Sequence, residues 1–293
     1  MSMPLEIEEA KPFYHPLFDD EEADIILSSN DHYTLFRLPS ITLRKSSNYF
    51  RNHIQSTEST SSSNQRKPRF QIPFPTLPLE RVLCLISGLP LSTPIEQLSL
   101  PEIGSMLDII QFLDAPGPLS TLRSYLFRRE QEPILVYGLA MKWGWNEMAQ
   151  KAAEQTLKII DIFSSSLIQL ERLPTASSVV ILYRMHQRRK DRFRQHLQDR
   201  SQFQLNCRLC CDPPYWRLLI TKLIDELNRD CSGNSILFPG GIEEWSETRN
   251  CWKGSPCRDA RCDYRHGLAN KTSTMKKIRE VVENLPKDLK LPV

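Results

Sequence analysis

A chain of 293 residues with 38 basic and 35 acidic side chains has room for one large or two ordinary domains, and its formal charge of +3 is too small to make the whole molecule a polyanion binder. Eight cysteines spread over this length do not form a disulfide scaffold; in a reducing compartment they are thiols or metal ligands. The opening MSMPLEIEEA lacks the basic start and apolar core of a secretory signal, and no apolar run approaches bilayer length, so the expectation is an intracellular protein, nuclear or cytoplasmic, with no membrane partner.

Residues 1–17 read as an N-terminal arm. Ile25 and Leu27 alternate after Asp24, Ser29-Asn30-Asp31 supply turn chemistry, and Tyr33, Leu35 and Phe36 resume an extended run toward Leu38. A helix marked by Leu43, Tyr49, Phe50 and Ile54 follows, with a capping break at Ser46-Ser47-Asn48. Residues 55–69, QSTESTSSSNQRKPR, hold too little apolar surface to fold alone and read as a mobile loop. Beyond it come a strand over Phe70–Phe74 and a helix over Leu77–Ser87 with Leu79, Val82, Leu83 and Ile86 inward, ended by Pro90 and Pro94. Two more helices are predicted, over Glu102–Leu113 and Leu119–Phe127.

The order Asp24-Ile25 with Leu27, then Phe36-Arg37-Leu38, Leu43 and Ser47-Asn48-Tyr49-Phe50-Arg51 resembles the opening of a BTB/POZ domain, a protein-interaction module. The resemblance covers roughly residues 18–128. It departs from the family at Pro39-Ser40, where a His-Lys pair is usual. What it implies is an α+β domain over 18–130, a short sheet with a helical cluster, that self-associates as a homodimer and serves as an adaptor or scaffold in transcription regulation or ubiquitin ligation. Asp24, Ile25, Leu27, Tyr49 and Phe50 would then line the dimer or partner interface. Cullin adaptors often carry an apolar-x-Glu motif after the Tyr-Phe helix; here Ser56-Thr57-Glu58 stands in a polar stretch with no apolar residue two before Glu58.

The next segment, PILVYGLAMKWGWNEMAQKAAEQTL, predicts two short helices, with Pro133 in a first turn, Gly144 as a stop and Asn146 as a cap. It is similar to the extension that follows the domain in a group of fungal BTB proteins, and it places a helical extension over 131–173. A basic helix over 174–205 has Val179, Leu182, Tyr183, His186, Phe193 and Leu197 on one side and Arg184, Arg188, Arg189, Lys190, Arg192 and Arg194 elsewhere. The run reads as a solvated face or as a nuclear-import or nucleic-acid patch, and His186 as a half-buried core histidine. Residues 206–293 form a cysteine-containing helical tail, with a helix from Asp212, a loop over Ser232–Gly241 and a last helix over Ser273–Leu285.

The sequence holds no Gly-x-Ser-x-Gly, phosphate-loop or His-Glu-x-x-His pattern, and the reading is of a protein that is not an enzyme. Cys251, Cys257, Cys262 and His266 are spaced C-x5-C-x4-C-x3-H, a donor set suited to one structural zinc ion. A second set joins Cys207 and Cys210 to Cys257 and Cys262, and metal-free structural thiols are the third reading. The first spacing resembles CCCH zinc fingers, some of which bind single-stranded RNA. The alternative function is therefore a nucleic-acid-binding regulator using the basic helix and this segment.

Overall fold

The computed structural model describes residues 13–31, 34–58, 67–160, 162–165, 173–199, 203, 214–238, 240–252, 255–256, 265–266 and 271–290. The protein is α+β and mostly helical, and it divides into two compact units, Met1–Arg129 and Glu130–Val293.

The first unit is built on a short mixed sheet. Strands β1 (Phe13–Asp19), β2 (Ile25–Ser28), β3 (Thr34–Leu38) and β4 (Arg69–Gln71) lie in the order β1-β3-β2-β4. β2 and β3 are antiparallel, whereas β1 runs parallel to β3 and β4 parallel to β2. The apolar run read from Ile25 to Leu38 is the centre of this sheet: Ile25, Leu27, Leu35, Phe36 and Leu38 are all buried. β1 falls partly inside the segment read as an arm. FYHPLFD carries Pro16 and no clean period of two, so its strand character comes from docking beside β3 rather than from pattern.

The expected single helix is two, α1 (Ser40–Ser46) and α2 (Asn48–Glu58), separated at Ser47. The Ser47 hydroxyl accepts the Phe50 N–H at 3.2 Å and donates to the Leu113 carbonyl, so the predicted capping break also ties α2 to the distant Leu113. α2 continues to Glu58 and β4 takes Arg69, so both ends of the stretch read as a loop are regular structure. α3 (Thr76–Ser87) buries Leu79, Val82, Leu83 and Ile86 as its spacing predicts; it stops at Gly88, whose φ of 68° needs no β-carbon, and not at the prolines. α4 (Leu100–Phe112) starts with a full capping box between Ser99 and Glu102, and α5 (Pro116–Arg128) closes the helical cluster.

In the second unit α6 (Pro133–Lys142) and α7 (Asn146–Thr156) pack as a pair. Asn146 is the first helical residue of α7 rather than its cap. A short turn of helix, α8 (Ile162–Ser165), precedes the long α9 (Ala176–Gln198), whose Thr175 hydroxyl accepts the Ser178 N–H. α10 (Pro214–Arg229), α11 (Asn234–Leu237), α12 (Gly241–Glu244), α13 (Ser246–Trp252) and α14 (Lys271–Glu283) follow. Much of the stretch read as a loop over 232–241 is thus short helix. A core of Phe193, Leu197, Trp216, Leu219, Leu223, Ile242, Ile278 and Val282 joins α9, α10, α12 and α14. The buried Tyr137 hydroxyl donates to the Ser178 carbonyl at 2.8 Å, fastening α6 to α9. A β-carbon at Gly138 would stand 2.8 Å from Leu173 Cδ2, so that side chain would have to shift to admit one.

Candidate interaction surfaces

The five residues read as interface divide by burial. Ile25, Leu27 and Phe50 are 2 %, 0 % and 0 % exposed, so they are core residues with no surface to offer a partner. Their apolar side chains occupy the inner face of the sheet and of α2, which is the physical reason the pattern was legible at all. Asp24 is exposed and acts locally, its Oδ1 accepting the Ser40 N–H at 2.6 Å. Pro39, at the cap position of α1, has no side-chain acceptor, and Asp24 supplies one from the sheet. Burial pushes the Asp24 carboxyl up, but its hydrogen bonds to Ser40 and the Lys67 charge outweigh this and hold its pKa below the usual value. Tyr49 is half-buried in an aromatic cluster, stacked on His53 at 4.1 Å and 5.0 Å from Phe112, which meets Phe74 at 5.5 Å.

The most exposed large apolar side chains of this unit lie elsewhere. β1 is an edge strand, paired with β3 along one side only among the described residues. Phe18 and His15 hold it inward, His15 stacking on Phe36 at 5.3 Å. Arg37 of β3 braces it, lying 3.7 Å over the Tyr14 ring and 3.0 Å from Asp19. Phe13 and Leu17 remain 55 % and 52 % exposed on this strand, and Ile41 of α1 is 62 % exposed. An edge strand with exposed large apolar side chains is a template for pairing with another chain. The reading of residues 1–17 as an arm did not include this strand; the signal the sequence carries for it is the pair Phe13 and Leu17 around His15-Pro16.

Three of the six cations of the basic run on α9 are committed within its own unit, while Arg184 and Arg192 are exposed. Arg189 is 1 % exposed, and its guanidinium donates to four backbone carbonyls: Cys231 at 2.6 Å, Leu285 at 2.9 Å, and Ser232 and Val282 at 3.2 Å. Arg188 reaches Asp288, and Arg194 reaches Asp191 and Asn228. His186 is fully buried rather than half-buried. Its Nε2 lies 3.0 Å from the Thr156 hydroxyl, which itself donates to the Ala153 carbonyl; the imidazole therefore carries its proton on Nε2, leaving Nδ1 without a partner among the described residues.

Of the expected zinc ligands, Cys257 and Cys262 lie outside the described residues, as do Cys207 and Cys210 of the alternative set. His266 is placed by its backbone in β6 (Arg265–His266), which pairs antiparallel with β5 (Ser255–Pro256), Ser255 opposite His266. Cys251 is half-buried on α13; its thiol donates to the Tyr215 carbonyl at 3.0 Å, and burial, with Glu247 nearby, pushes its pKa up to about 12. Among the described residues no group of three or more His, Cys, Asp or Glu side chains is arranged to hold a metal ion. Nor is any helix among them long and apolar enough to cross a membrane.

No protein-family model matches the chain, and no curated protein matches it.

Proposed function

We propose that this chain is a non-enzymatic protein-interaction protein of BTB/POZ type, which self-associates through β1 and α1 and acts as an adaptor or scaffold. The observation that carries the reading is the open edge of β1, with Phe13 and Leu17 exposed beside an inward-facing Phe18. The family assignment draws support from where its marks lie: Leu27, Phe36, Leu38, Leu43 and Phe50 are all core residues of one sheet-and-helix unit. Ile25, Leu27 and Phe50 leave the proposed interface, and Phe13, Leu17 and Ile41 take their place. The nucleic-acid reading loses ground because Arg189, one of its six cations, is buried against carbonyls.

Sedimentation of the full chain tests the proposal. The expected result is a dimer at micromolar concentration that Leu17→Asp converts to a folded monomer, because a carboxylate there would be desolvated at a symmetric interface. A wild-type chain that stays monomeric at high micromolar concentration overturns it.

A further inference from the structure

Beyond α14 the chain passes through Pro286–Lys290, without helix or strand, and returns to α7 and α9 of its own unit. Gln150 on α7 grips this strap twice. Its Nε2 donates to the Lys287 carbonyl at 3.0 Å and its Oε1 accepts the Leu289 N–H at 2.7 Å. One carboxamide thereby pairs with residues two apart, as a single residue of a parallel strand does with its neighbour. Arg188 on α9 donates to the Asp288 carbonyl at 2.7 Å and stands 3.6 Å from the Asp288 carboxylate.

The strap is held by groups that any peptide carries, plus one carboxylate. Lys287, Asp288 and Lys290 are exposed, and Pro286 and Leu289 only half-buried. Leu285, just before it, is buried in the core with its carbonyl on Arg189. Lifting the strap about Leu285–Pro286 would break the contacts to Gln150 and Arg188 and leave the core contacts of α14 in place.

We infer that the surface formed by Gln150 and Arg188 is a peptide-docking site which the chain's own strap occupies, and that its external ligand is an extended peptide segment presenting one carboxylate to Arg188 where Asp288 now stands. Exchange of straps between two copies is the poorer occupant, because the anchored Leu285 leaves only a few residues of reach. The inference concerns the second unit and does not rest on self-association through β1. A tethered strap competes at an effective concentration on the order of millimolar, so a free peptide binds appreciably only once the strap is released.

The test uses the full chain and a fluorescein-labelled peptide, Gly-Pro-Lys-Asp-Leu-Lys-Gly, read by anisotropy. Leu289→Pro, which removes the N–H that Gln150 accepts, should bind the peptide about fivefold or more tightly than wild type. Adding Gln150→Ala to that variant should abolish the gain, and a peptide with Asn for Asp should bind more weakly. Hydrogen exchange at the Leu289 amide needs no variant: excess unlabelled peptide should accelerate it by displacing the strap. Equal binding to wild type and Leu289→Pro, a gain that survives Gln150→Ala, or exchange unaffected by peptide each overturns the proposal. A dimer lost in Leu289→Pro but kept in Leu17→Asp would assign the site to strap exchange and overturn the external ligand.

Discussion

Arg189 Nη1 donates to the Leu285 carbonyl at 2.9 Å, and the same guanidinium reaches Val282 in the last turn of α14. Carbonyls at a helix C-terminus carry partial negative charge and have no partners within the helix, so the buried cation and the helix end satisfy each other. Burial pulls the Arg189 pKa down, with Cys231 and Asp230 opposing. Replacing Arg189 by Ala would strand buried carbonyls from two segments and should cost about 3–5 kcal/mol. Lys should rescue little, since one ammonium cannot span the positions that the planar fork reaches. Urea unfolding followed by tryptophan fluorescence, which reports the second unit because all five tryptophans lie in it, checks both outcomes.

Phe50 is fully buried and lies edge-on to Tyr49 at 5.2 Å and to Phe70 at 6.4 Å. Phe50→Ala should destabilise the first unit by about 3–5 kcal/mol, while Tyr49→Ala, at a half-buried site, should cost less. Equal thermal melting of wild type and Phe50→Ala would show that α2 packs in another register.

The Ser99–Glu102 capping box has a pH signature. Hydrogen bonds from the Ser99 hydroxyl and N–H, then Arg81, hold the Glu102 carboxyl down to about 2. A depressed carboxyl contributes stability that is complete above its unfolded pKa near 4.5 and is lost as the pH falls toward 2. Ser99→Ala should cost about 1 kcal/mol at neutral pH and flatten the stability profile between about pH 4.5 and 2. Denaturant midpoints measured across that range are the check.

His186 also loses stability as the pH falls, but for the opposite reason: its charged form is disfavoured by burial, whereas that of Glu102 is favoured by hydrogen bonds. Burial first, then Lys190 and Arg189, lowers its pKa to about 4 from an ordinary 6.5. Protonation would place a second donor on Nδ1, which no acceptor faces among the described residues. Between about pH 6.5 and 4 the unfolded chain binds the extra proton, so the second unit loses stability as the pH falls through that window. His186→Leu gives up the Thr156 contact but should remove this slope. A variant whose stability still declines as steeply over the same interval would place the titrating group elsewhere.

Legibility in the sequence differs from element to element. The helices over Leu79–Ile86 and Trp216–Leu227 follow from a spacing of 3.6, because each turns one apolar face to a core and local periodicity records that directly, whereas the strands around Leu27 and Phe36, with neighbouring residues buried in succession, are legible as short apolar runs between turn residues. The break at Ser47 follows from short-range hydrogen bonding, which a few neighbouring residues specify. The zinc spacing was equally legible, but ligation requires four donors to converge, and spacing says nothing of convergence.

Other features exist only in three dimensions. Phe13–Asp19 is a strand because β3 offers an unpaired edge, not because its own pattern alternates. Asp24 caps α1 from 16 residues away, Ser47 bonds Leu113 across 66, and Gln150 meets Lys287 across 137. Arg189 reads as one more cation in a basic run, yet the arrival of Val282 and Leu285 makes it the centre of a buried network. By itself the sequence determined which faces must be apolar and where helices can begin. Partner choice for β1, Asp24, Gln150 and Arg189 was decided by tertiary structure, because a hydrogen bond needs its two groups within about 3 Å and only the fold brings together groups so far apart in the chain.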